Sequence, residues 1–141
     1  MLLGACFAGL AIENSMLGAT HALANPLTAQ FGIIHGQAIA TMLPHVIRFN
    51  GHTVPTLYEE LSEIANDNGQ SQIRPGADEL AQFVSSLVEK AKLPQLLADQ
   101  GVQREMLPDL ASQAAQQWTA EFNPRDVGHE ELLELYQSAF D

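Results

Sequence analysis

The stretch Glu79–Glu89 (ELAQFVSSLVE) has the spacing of an α-helix. Leu80, Phe83, Val84, Leu87 and Val88 recur at intervals of three and four and share one face, while Gln82, Ser85 and Glu89 occupy the other. Toward the C-terminus the pattern returns: Leu132, Leu135, Tyr136, Ala139 and Phe140 share a face, and Glu130, Glu131 and Glu134 stand near the helix start, where negative charge complements the helix dipole. Toward the N-terminus, Thr56–Glu59 (TLYE) has capping-box spacing and predicts a helix running to about Asn66, closed by Asp67–Gly69. Glycine and proline punctuate much of the rest, and no segment alternates apolar and polar residues for long, so strands are not expected.

Residues 66–78 are polar and read as a surface loop between two helical blocks. Blocks of roughly sixty residues rarely bury enough surface alone, so residues 1–141 are expected to form a single all-α bundle. A length of 141 residues with 46% hydrophobic content suffices for one core. The formal net charge of -11 repels phosphate backbones and anionic lipid surfaces, which argues against nucleic acid and membrane as partners. Cys6 is the one cysteine, so no internal disulfide is possible and a reducing cytoplasm fits best. The apolar run Met1–Ile12 lacks the basic start of a signal peptide and is interrupted by Glu13 and Asn14 before it could span a bilayer. It is expected to be a buried core helix.

Four of the five histidines, His21, His35, His45 and His52, fall in a segment poor in charge. Neutral imidazole is the commonest metal ligand. The interval from His21 to His35 matches no compact metal motif, so on spacing alone they read as ordinary core or surface histidines before metal ligands. His45 is expected to be a pocket-side or hydrogen-bonded helix residue and His52, beside Gly51, an exposed loop residue. Trp118 and Phe122 are expected to pack together, and the acidic clusters at 59–63 and 130–134 to be solvated helix faces.

Three stretches together carry a resemblance: Gly18–Leu27 (GATHALANPL), His35–Ala38 (HGQA) and Met42–Asn50 (MLPHVIRFN). With Asn123–Val127 (NPRDV) and Glu131–Tyr136 (ELLELY) near the end, the sequence resembles the C-terminal helical metal-binding domain of iron-containing (group III) alcohol dehydrogenases, a fold shared with dehydroquinate synthase-like proteins. The resemblance implies that His21 and His35 are two of four ligands to a divalent metal, iron(II) or zinc. The aspartate and histidine that complete the set would lie upstream, as would the nucleotide-binding domain. No glycine-rich phosphate turn occurs in these residues.

At Asn25, four residues after His21, many members of that family carry a second histidine close to the nicotinamide and substrate. Asparagine offers hydrogen bonds but cannot titrate, so the resemblance leaves it a polar orienting role beside substrate and NAD(P). At Ile12 the family often places an aromatic residue in the substrate pocket, so the resemblance puts Ile12 there.

The implied activity is that of a metal-dependent oxidoreductase, in which the metal polarises an alcohol or carbonyl oxygen during hydride transfer with NAD(P). Two histidines alone predict weak metal binding and no activity by these residues without the upstream part. The implied partners are a divalent metal, a small alcohol or aldehyde, and either a second copy in a homo-oligomer or a nucleotide-binding chain. The alternative is a catalytically silent truncated helical protein that oligomerises or binds a partner through apolar surface. A histidine metal store would require denser ligand clusters.

Overall fold

A computed structural model describes residues 2–66 and 74–141. All regular structure among them is helical: α1 (Leu2–Ser15), α2 (Ala19–Phe31), α3 (His35–Gly51), α4 (Pro55–Asn66), α5 (Ala77–Lys90), α6 (Leu107–Ala114) and α7 (His129–Ser138), with short 3-10 turns between α5 and α7. The periodic segments become α5 and α7. Leu80 and Val88 are buried on α5, and Leu132, Leu135, Tyr136 and Ala139 are buried on or just after α7. The acidic groups at 59, 60, 63, 130 and 134 are exposed. Asp67–Gly69 and most of the polar loop lie outside the described residues.

The largest cluster of buried side chains joins α2, α3, α6 and α7, through Leu23, Leu27, Met42, Val46, Leu110, Leu132 and Tyr136. A smaller one sets α5 against α3, through Ile47, Leu80 and Ala81, with Tyr58, Phe83 and Val84 alongside. Pro26 and Pro44 lie inside α2 and α3 rather than at their ends. Each removes one amide donor from its helix, and both rings are buried, so packing overrides the local penalty. α2 ends at Gly32, whose φ of 65° is the left-handed cap that closes its last turn onto the Thr28 carbonyl.

Polar contacts fix the position of α2. Asn50 and Asn123 exchange carboxamide hydrogen bonds of 3.0 and 2.8 Å in the interior, and Asn123 Oδ1 also accepts from the Ala19 backbone N–H at 3.3 Å. A Cβ at Gly18 would stand 3.1 Å from that same oxygen, so glycine lets the start of α2 approach closely. Arg125 donates to the Phe49 carbonyl at 3.1 Å and stacks 3.8 Å over the Phe49 ring. The Tyr136 hydroxyl donates to the Leu23 carbonyl at 2.6 Å, the acceptor that a buried phenol requires.

Two expectations are corrected. α4 starts at Pro55, so Thr56 lies within its first turn and is not the cap of a capping box. Proline at the first helical position is already shaped for helix and has no amide to satisfy, which moves the first helical residue from Leu57 to Pro55. α1 is helical but has no buried residue: Leu2 is 90% exposed, Phe7 60% and Leu10 53%. Its apolar residues lie all round the helix, so no stripe selects a packing face. α2 turns away from it by 108°, with Met16 at φ 65° in the junction. No single helix among the described residues is long and apolar enough to cross a membrane.

Candidate metal centre and adjoining cleft

His21 is in the first turn of α2 and His35 is the first residue of α3, so the reversal at Gly32–Ile34 brings them together. Their ring centroids are 5.5 Å apart, with the planes inclined at 46°. A ring centroid lies about 3 Å from an ion held at the usual metal–nitrogen distance, so two imidazoles on one tetrahedral ion stand about 5 Å apart. The pair therefore fits a shared divalent ion. Burial, then the nearby His35 charge, pulls the His21 pKa below its ordinary value, which favours the neutral, metal-binding form. Among the described residues no group of three or more His, Cys, Asp or Glu converges, so no third such side chain joins the pair there.

Asn25 follows one helical turn after His21, on the same face of α2. Its Nδ2 donates to Oε1 of Gln117 at 2.9 Å, across 92 residues of sequence. Gln117 lies within the run 115–118 that lines an open cleft of about 500 Å³ together with Glu121 and Asp126. Trp118 and Phe122 pack edge to face at 5.9 Å, yet both are about half exposed, so the pair is a surface feature. Ile12 is carried on exposed α1. Nothing in the local sequence pattern singles out Gln117, because its partner comes from another helix.

His45 takes no part in the histidine pair. Its Nδ1 lies 2.9 Å from the Ser138 hydroxyl, beside a cavity of about 170 Å³ that Arg48 and Gln95 also line. Burial, then the Arg48 charge, lowers its pKa to about 4. His52 caps the end of α3 and is exposed.

The sequence profile of the Fe-containing alcohol dehydrogenase family, C-terminal, matches residues 1–140. The chain is 33% identical over 141 residues to a 1,3-propanediol dehydrogenase of Citrobacter freundii, covering 99% of this chain and 36% of that protein. It is 31% identical over 141 residues to a lactaldehyde reductase of Escherichia coli K12, covering 99% of this chain and 37% of that one. It thus spans about a third of the length of these relatives. A solved 1,3-propanediol oxidoreductase superposes with a TM-score of 0.85 at 30% identity, over 94% of this chain and 35% of that structure. A profile match over almost every residue, on a fold shared at that TM-score, shows that the chain belongs to the iron-containing alcohol dehydrogenase family and corresponds to its C-terminal part.

Proposed function

We propose that these residues form the helical metal-binding part of an NAD(P)-dependent alcohol dehydrogenase, with His21 and His35 contributing half of a four-ligand site. The 5.5 Å pairing of the two imidazoles across the α2–α3 reversal is the observation that carries this reading. Iron(II) or zinc suits a set of imidazole and carboxylate donors, and such an ion supplies the positive charge that favours hydride exchange between an alcohol or carbonyl carbon and the nicotinamide. The chain's own part is to hold two neutral nitrogens at fixed separation and to place the uncharged Asn25 carboxamide one turn away. Asn25 orients a hydroxyl or the nicotinamide by hydrogen bonding and does not move protons. The other two ligands and the nucleotide site belong to a region such as the relatives carry outside the matched third.

Two measurements test this. Calorimetric titration should show weak zinc binding by the 141 residues, abolished in the double variant His21→Ala, His35→Ala. Tight stoichiometric binding that survives the double variant would place the metal elsewhere. Joined to a matching nucleotide-binding region in a demonstrated complex and supplied with iron(II) or zinc, the chain should support alcohol-dependent nicotinamide reduction. Silence there would sink the assignment.

The exposure of α1 favours a second reading, a catalytically silent helical protein that uses this apolar helix to oligomerise or to bind a partner. Light scattering separates the two: a monomer that binds no hydrophobic dye would exclude the second.

A further inference from the structure

We propose that Gln117 is a positioning and specificity-determining residue: it holds Asn25 in place and, with Trp118, walls a cleft that admits an uncharged hydroxyl-bearing ligand and disfavours one carrying a carboxylate or sulfonate. This rests on the dehydrogenase reading and deepens it. The first observation is the 2.9 Å bond from Asn25 Nδ2 to Gln117 Oε1, which joins the face of α2 bearing His21 to the turn after α6. Neither carboxamide ionises. The bond leaves Asn25 Oδ1 as an acceptor and Gln117 Nε2 as a donor, with no other side-chain partner among the described residues. Of the two, Gln117 lines the cleft and Asn25 does not, so the bond also fixes the Gln117 carboxamide on the cleft wall with its Nε2 free to donate to a ligand oxygen, and the choice between a hydroxyl and a carboxylate falls to the charge around it.

The second observation is the charge around the cleft. Glu121 and Asp126 line it, and among the described residues no lysine, arginine or histidine does. Arg125, the adjacent cation in sequence, is turned onto Phe49, where it is held by a hydrogen bond and by the ring face. An anionic ligand would approach two like charges with no counter-ion, and such juxtaposition is penalised. The half-exposed indole of Trp118 supplies apolar surface for a short carbon chain.

Trp118 is the one tryptophan in the chain, so its fluorescence reports on this cleft. The test titrates the purified chain, with and without zinc, against 1,3-propanediol and against 3-hydroxypropanoate, which differ by an alcohol and a carboxylate. At low salt the diol should bind about tenfold more tightly. The difference should shrink to less than about threefold in about 1 M sodium chloride, where the Debye length falls to about 3 Å. Gln117→Glu keeps the acceptor for Asn25 and adds negative charge, so it should widen the preference. Gln117→Lys should reverse it, and Gln117→Ala should weaken the diol while leaving far-ultraviolet dichroism unchanged. Equal affinities, a carboxylate preference in the unmodified chain, a preference indifferent to salt and to Gln117→Glu, or no fluorescence response to either ligand would overturn the proposal. Zinc binding lost in the histidine variants, with no diol preference, would sink this inference and leave the metal assignment standing. A diol preference without zinc binding would do the reverse.

Discussion

α1 and α3 show how little hydrophobicity alone says about burial. α1 carries leucine, isoleucine and phenylalanine on every side and has no buried residue. α3 includes His35, Gln37, His45 and Arg48, yet it buries Met42, Val46 and Ile47 on one side while Arg48 stays exposed. The difference lies in sidedness and in partners. α3 offers a stripe that α2, α5 and α7 cover. α1 offers no preferred face to the helices that follow. The same contrast separates the candidate metal pair, carried at the facing ends of two packed helices with His21 partly buried and His35 exposed, from Ile12 on a helix that nothing covers.

If the α2–α3–α6–α7 cluster is what holds the chain folded, damage there should be the most costly. Leu132 is fully buried in that cluster. Leu132→Ala should lower stability by about 3–4 kcal/mol, the sum of lost transfer free energy and the cavity left behind, read from urea unfolding. Asn123→Ala should cost about 2–3 kcal/mol, because it strands the Asn50 carboxamide and the Ala19 amide without partners. A loss below about 0.5 kcal/mol at either position would mean that the core is less tightly organised than its geometry indicates.

A smaller effect is set by pH. His45 has a folded-state pKa of about 4 against an ordinary value of 6.5, owing first to burial and second to Arg48. The folded state thus disfavours its protonation. The contribution is present above about pH 6.5 and is lost as pH falls from 6.5 toward 4. The loss should reach about 2 kcal/mol, below the full value of the shift because the ring is partly open to water. Unfolding measured across that range should show the decline, and His45→Gln should remove its His45-dependent part. An unchanged slope in the variant would mean that other groups govern the acid limb.

The parts of this architecture written in local pattern were readable from the sequence, and those written in long-range contact were not. α5 and α7 follow from intervals of three and four, and the histidine pair follows from a family resemblance whose spacing the α2–α3 reversal explains. The start of α4 was misplaced because Thr56–Glu59 carries a capping signal that Pro55 outcompetes. Burial of α1 was misjudged because composition reports a preference for leaving water and says nothing of what will cover the helix. Gln117 and Ser138 meet their partners across 92 and 93 residues, so no window of sequence could have paired Asn25 with one or His45 with the other.

The other side of the comparison yields the smallest effect on folding and the sharpest on association. Phe7 is 60% exposed and Leu3 67%, so replacing both with lysine should change the stability of the monomer by less than about 0.5 kcal/mol, as for surface sites away from special contacts. If α1 is covered in solution by another copy or by a further part of the protein, the double variant should weaken that association by about tenfold or more, since burying two charged groups opposes apolar packing. Sedimentation of the unmodified chain and the variant at matched concentrations reads this directly. Equal behaviour, both monomeric and equally stable, would mean that α1 needs no partner and that its apolar surface is tolerated in water. A marked loss of monomer stability would instead show that α1 folds back onto the bundle, and the contrast with α3 would vanish.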